Sequence, residues 1–394
     1  MNPAILLKKI LGCVVRCTPK WYICVLRGYP SFEDNLVAIY HELLRRGITR
    51  IVWVVDSLDE VRPFRVDPAT QFVVRGSWRD FGYSVLAKYL FITHGHFIDK
   101  IPSNQICTNL WHGIPYKVIG KLDGKQGRED TVVVATSALT REIFAKSFGI
   151  DAGRIAITGQ ARTDRLFVEN SRALKQQILP DSGAATKIFL WLPTYRTTDL
   201  GGGRSDGKDH GNLFNCSDFS VDAFNTYLAA NDAVCFVKPH PMARRQDSVK
   251  ESNLIYIDEH WLHARRTTLY QFAGIADCLI SDISSIIIDF MLVDRPIVLL
   301  FEDIADYETT RGFSFSPIGD WLPAPVNRDF SGFIADIDAV VRGIDRYAVK
   351  RNALKSQFFT HADNGSAARI FDHVFGSISR TPDDQAWPVQ KLLL

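Results

Sequence analysis

The chain has 394 residues, 46% hydrophobic and 23% charged, a balance that excludes an intrinsically disordered protein. That length accommodates two domains of ordinary size. A net charge of +2 excludes a strong global field for nucleic acid, so any basic patch is local.

At the N-terminus, Ala4 to Val15 is apolar but interrupted by Lys8 and Lys9, and Arg16 follows. No uncharged run reaches the roughly 18 residues of a spanning helix. No small-residue cleavage site marks a signal peptide. On a helix, Ile5, Leu6, Ile10, Leu11 and Cys13 share one apolar face edged by Lys8, Lys9 and Arg16. Residues 1–20 read either as a helix lying in a membrane surface or as a first helix docked on the protein's own core.

From residue 22, strands and helices alternate. Strands are predicted at Tyr22–Leu26, Ile51–Val55, Phe72–Val74, Tyr89–Ile92, Gln105–Leu110, Val132–Val134 and Arg154–Thr158, with a helix over Leu36–Arg46. Glu169 to Ala185 ends in Pro180-Asp181-Ser182-Gly183 and reads as a linker. A second series follows. Its strands are Ile188–Leu192, Ala233–Val237, Leu254–Ile257, Cys278–Ser281 and Ile297–Phe301, with helices over Val221–Ala230 and Ile286–Val293. Thr197 to Asn215 is a polar, glycine-rich loop without nucleotide-fingerprint spacing. Buried strands alternating with helices argue for an α/β protein with parallel sheets. The simplest architecture is two doubly wound domains facing a cleft, over 21–175 and 176–378, with a tail at 379–394. Such sheets bind ligands beyond the carboxyl ends of their strands. The seven cysteines include no C-x-x-C pair and favour a reducing compartment, hence the cytoplasm.

The chemistry-bearing residues concentrate at strand ends. Trp111-His112-Gly113-Ile114-Pro115 follows the fifth strand; His112 there is either a general base or a structural turn histidine. Gly113 permits close backbone approach. In Lys238-Pro239-His240-Pro241, Lys238 and His240 offer donors to phosphate, or the segment is only a rigid turn. Asp282-Ile283-Ser284-Ser285 leads into a helix and combines hydroxyls with helix-start N–H groups, an anion site or plain capping by Ser284. Asp289, one turn on, orients a site group or forms an ion pair. Thr194 and Arg196 follow one strand, and Arg162 and Asp164 another. The arginines suit phosphate; Asp164 either fixes Arg162 or caps the next helix. His94 and His96 lack a carboxylate or cysteine partner, so no metal site is expected.

In this order, WHGIPYK at Trp111–Lys117, TGQARTD at Thr158–Asp164, LPTYR at Leu192–Arg196, VKPHP at Val237–Pro241 and ADCLISDISSIIIDFMLVDRPIVLL at Ala276–Leu300 resemble the CDP-glycerol glycerophosphotransferase family of teichoic-acid and capsule synthesis. DN at Asp34-Asn35 and DNGSAARI at Asp363–Ile370 match more weakly. The resemblance implies a GT-B fold, two Rossmann-like domains with the nucleotide mostly on the C-terminal one, whose last helix packs back on the N-terminal domain. It implies a CDP-alditol donor, foremost CDP-glycerol, with release of CMP and no tightly bound cofactor. It implies a hydroxyl acceptor on a lipid-linked cell-envelope glycan and a place at the inner face of the membrane. By the same resemblance His112 is the base and His240 helps hold the donor pyrophosphate. Gly113, Arg162, Asp164, Thr194, Arg196, Lys238, Pro241, Asp282, Ser284, Ser285 and Asp289 surround the substrates. Ile114, Ala161, Thr163 and Ile283 depart from the family pattern, which bears on the alditol and the acceptor more than on the reaction. Three readings stand beside this one: a CDP-ribitol transferase, a nucleotide-sugar glycosyltransferase, and an inactive membrane-bound scaffold. The absence of a large additional N-terminal module favours priming by single addition over polymerisation.

Overall fold

The computed structural model describes residues 12–61, 66–95, 101–123, 130–180, 183, 185–194, 197–198, 204–205, 212, 214–240, 252–310 and 312–376. Among them, strands form two parallel sheets and a two-stranded antiparallel ribbon. The first sheet contains β1 (Trp21–Arg27), β2 (Ile51–Val55), β3 (Gln71–Val74), β4 (Ala87–Ile92), β5 (Ile106–Asn109), β6 (Val132–Ala135) and β7 (Ile155–Ile157), in the spatial order β3-β2-β1-β4-β5-β6-β7. The second contains β8 (Lys187–Leu192), β11 (Ala233–Val237), β12 (Leu254–Tyr256), β13 (Cys278–Ser281), β14 (Ile297–Leu300) and β15 (Val326–Asn327), ordered β12-β11-β8-β13-β14-β15. The ribbon pairs β9 (Thr197–Thr198) with β10 (Arg204–Ser205).

Both sheets are doubly wound, so each reverses its strand order at one place, between β1 and β4 and between β8 and β13. Loops leaving the carboxyl ends at such reversals diverge and leave a crevice. All five residues of β2 and of β11 are buried, as expected when both faces of a strand are covered. One large core joins the two halves. It packs Ile114, Tyr116 and Leu166 of the first with Ile188, Leu190, Ile287 and Phe290 of the second. Fully burying an aliphatic side chain of this kind contributes about 1.5–3 kcal/mol.

Several elements differ from the sequence expectation. The segment read as a linker carries a helix, Ser171–Ile178, whose N-cap Asn170 accepts from the Ala173 N–H and whose Ile178 is buried. Its mostly polar residues hid a single apolar stripe. The expected helix at 286–293 is α-helical only over Ile286–Phe290 and tightens to a 3-10 turn at Met291–Val293. The polar loop after β8 holds the short ribbon. β15 was not anticipated because two residues give no periodicity. At the N-terminus, residues 1–11 lie outside the described residues, including most of the proposed membrane helix. Residues 12–17 are helical, with Val15 buried against Val85 and the Lys20 ammonium bonded to the Val15 and Val85 carbonyls. The tail at 379–394 also lies outside. Among the described residues, no helix is long and apolar enough to cross a membrane.

The helix Ser366–Phe375 packs on the first half. Ala367, Ile370, Phe371 and Val374 join a core with Leu36, Val37, Tyr40 and Leu43 of the helix Asp34–Arg45. Its first turn is held by Asp164, which accepts from the Ser366 and Ala367 N–H groups at 2.9 and 2.8 Å.

Candidate active site

Two adjoining cavities, about 250 and 360 Å³, lie where the strand-end loops of the two sheets meet. His112, His240, Ser284 and Ser285 line both. The first is otherwise walled by 111–117 and Ile119 with Thr194 and Ile283. The second adds Glu33, Asp34, His94 and Arg162 from one side and Lys238, Glu259, His263 and Tyr270 from the other.

The turn carrying His112 is sharply bent: Trp111 has φ 52° and Gly113 φ 144°. Glycine is required at 113. A Cβ there would lie 2.2 Å from Ser285 Oγ and 3.1 Å from an Arg162 guanidinium nitrogen. The first-half turn therefore approaches Ser285 of the second half through backbone. Asn35 secures it, donating from Nδ2 to the Trp111 carbonyl at 2.9 Å while its Oδ1 accepts from the Arg162 N–H at 3.0 Å. Glu33, N-cap of the helix Asp34–Arg45, accepts from Asn35 Nδ2 at 2.6 Å. Burial pushes the Glu33 carboxyl up to about 8, against the pull of Arg162.

His112 lies with Nδ1 3.1 Å from the Thr93 carbonyl. A carbonyl only accepts, so Nδ1 carries the proton and Nε2 keeps its lone pair. The ring opens onto both cavities, yet protein surrounds it beyond them. That enclosure first, then His94, Arg162 and His240 nearby, pulls its pKa below the ordinary 6.5. A neutral imidazole with a lone pair facing a cavity is equipped to accept a proton.

Across the gap, the donors arise from two turns. Lys238, at the end of β11, is buried and pairs with Glu259 at 2.8 Å. His240 is brought down to about 4 by burial and then by Lys117 and Lys238, so it too is neutral at pH 7. It therefore presents an N–H rather than a fixed charge. The helix Ile286–Phe290 begins after Ser285, and no side-chain hydrogen bond caps it. Capping by Ser284 is thus not the role of that hydroxyl. Among the described residues neither the Ser284 nor the Ser285 hydroxyl bonds to protein, and both face the cavities.

Three predicted site residues, Asp282, Asp289 and Asp164, support the site from behind or lie away from it. Asp282 accepts from the Thr194 N–H at 3.0 Å and hydroxyl at 2.5 Å, fixing the turn after β8. Asp289 is fully buried and accepts from Arg162 Nη2 at 2.5 Å and the Tyr270 hydroxyl at 2.6 Å. Arg162 thereby ties the first half to the second while lining the larger cavity. Asp164 lines neither cavity. It neither fixes Arg162 nor caps the segment after it, because its carboxylate is occupied by the helix Ser366–Phe375. Arg196 and Pro241 lie outside the described residues, as does His96. Among the described residues no group of three His, Cys, Asp or Glu side chains suits a metal ion. Sequence reasoning missed Glu33, His94 as a cavity residue, Glu259 and Tyr270. Asp34 and Asn35 had a signal, in their weak match to the family pattern.

Residues 16–376 match the family described as CDP-Glycerol:Poly(glycerophosphate) glycerophosphotransferase, and the chain belongs to that family. It is 25% identical to the teichoic acid ribitol-phosphate polymerase TarL of Staphylococcus aureus, over 88% of this chain and 61% of TarL. The chain thus spans less than two thirds of that polymerase. It is 22% identical to the teichoic acid glycerol-phosphate transferase of the same organism, over 88% of this chain and 90% of that protein. Among solved structures, the wall teichoic acid polymerase TagF shares the fold with a TM-score of 0.72 at 20% identity, covering 95% of this chain and 94% of that one.

Proposed function

We propose that the chain transfers glycerol phosphate from CDP-glycerol to a hydroxyl of a lipid-linked cell-envelope glycan and releases CMP. Family membership supports the reaction type. The observation that carries the reading is a neutral imidazole, His112, sharing two cavities with His240, Ser284 and Ser285. In the proposed GT-B arrangement, residues 21–175 present the acceptor and 176–378 hold the donor.

In this mechanism His112 Nε2 takes the proton of the acceptor hydroxyl as its oxygen bonds to the β-phosphorus. The bond from that phosphorus to the bridging oxygen breaks, and the electron pair leaves on CMP. Charge grows on the phosphate oxygens, where His240, Lys238 and the Ser284 and Ser285 hydroxyls donate. Preorganised donors of this kind often supply the largest catalytic term. Thr194 and Gly113 shape the smaller cavity. Arg162 contributes charge from the second cavity wall, held by Asp289. Arg196 and Pro241 belong to the same proposed substrate set.

CMP release by His112→Ala and His240→Ala tests the reading. Near wild-type turnover in a folded variant removes that residue from the mechanism. A ribitol donor is the second reading, favoured by 25 and 26% identity to the S. aureus ribitol-phosphate polymerases TarL and TarK. Competing CDP-glycerol against CDP-ribitol on the purified protein separates the two. We place the enzyme at the inner membrane face through its N-terminal residues. Because Val15 is docked on the core, the deletion that tests this removes residues 1–11. Failure to shift the protein from membranes to the soluble fraction would refute the attachment.

A further inference from the structure

His94 stands outside every motif of the family resemblance, yet its ring lies parallel to that of His112, with centroids 4.5 Å apart and planes 7° from coincidence. It follows Thr93, whose carbonyl holds His112 Nδ1. Two consecutive residues after β4 thus grip the same imidazole by its edge and by its face. The grip is itself anchored. His94 Nδ1 is 2.9 Å from Thr93 Oγ1, and its ring meets Tyr29 edge-on at 6.1 Å. The Thr93 N–H donates to the Arg27 carbonyl at 3.2 Å. Gly28 has no space for a side chain, since a Cβ would lie 2.6 Å from Thr93 Oγ1. The chain of contacts runs back to the reversal point between β1 and β4.

We infer that His94 is a positioning residue for His112, holding the ring plane so that Nε2 keeps one bearing toward the acceptor hydroxyl. The inference rests on the reading of His112 as the base. A base free to rotate about its side-chain torsions loses alignment with the proton it must take. Misplacement by about 1 Å costs roughly 10²-fold in rate. Parallel stacking fixes the plane without consuming a ring nitrogen of His112. The stack also makes His94 an electrostatic neighbour. The charged or titratable groups acting on His112 are His94, Arg162 and His240.

The test compares His94→Ala and His94→Phe, with His112→Ala as reference, by CMP release across pH. Alanine is expected to lower kcat about 10- to 100-fold with the donor KM within about twofold. Phenylalanine keeps an aromatic face and is expected to restore kcat to within about threefold. Because neither variant carries the His94 imidazole, the acid limb of kcat/KM moves to higher pH in both. A merely structural role would not move that limb. If alanine prevents folding, His94→Leu takes its place as the variant without an aromatic face, and a kcat equal to that of the phenylalanine variant would overturn the inference. Wild-type kcat and an unshifted limb in the His94 variants, with His112→Ala inactive, would overturn the positioning role only. Activity retained in His112→Ala would instead remove the base, and the inference with it.

Discussion

The two imidazoles shared by the cavities are held by opposite means. His112, on the first half, is fixed by a backbone carbonyl and aromatic faces, and its Nδ1 is committed as a donor. His240, on the second, follows a buried lysine, and Lys117 and Lys238 help depress its basicity. In the proposed mechanism the first side takes up a proton and the second gives hydrogen bonds to anions. Both rings are neutral at pH 7, and in both the enclosing protein is the first cause although the His112 ring opens onto the cavities, so the proposed difference in role comes from their neighbours rather than from their intrinsic basicity.

The strongest way to break this contrast is His112→Ala. CMP release should fall about 10²–10⁴-fold with little change in melting temperature, because the side chain fills cavity edge rather than core. Next, Asp289→Ala would strand the Arg162 guanidinium, whose side chain is 5% exposed. Breaking a buried pair in this way should lower stability by about 3–5 kcal/mol, read by urea denaturation. His240→Ala should reduce kcat about 10²–10³-fold, and, because His240 helps depress His112, move the acid limb only modestly to higher pH. Loss of that limb would assign proton uptake to the wrong half. Gly113→Ala should cost about 1–3 kcal/mol and lower kcat, since the new methyl group meets Ser285. The smallest effect is in pH. A lowered pKa keeps His112 deprotonated further into acid, so kcat/KM should stay level from pH 7 down to 6.5 and fall only below it. A limb above 6.5 would sink the idea of a depressed base.

The strands were legible because a parallel sheet covered on both faces turns each strand into a continuous apolar run, as in Ile51–Val55 and Ala233–Val237. The turns at His112, His240 and Ser284 were legible because they sit at the ends of those runs. What stayed hidden depends on contacts distant in sequence. Asp164 meets its partners about 200 residues later, at Ser366 and Ala367. Asp289 is the partner of Arg162, 127 positions earlier. Tyr270 belongs to no motif, and His94 reads as one of an unpromising histidine pair until the fold sets it over His112. Local spacing encodes which residues end a strand. It does not encode which of them face each other once two sheets are assembled.

The helix Ser366–Phe375 has a consequence for the order in which the protein is made. It completes the apolar wall around Leu36, Val37 and Leu43, although those residues leave the ribosome more than 300 positions earlier. Translation proceeds at about 5–20 residues per second. The nascent first half therefore waits on the order of tens of seconds with part of its core uncovered. Chaperone demand during synthesis should concentrate on that early helix and ease once residue 375 has emerged.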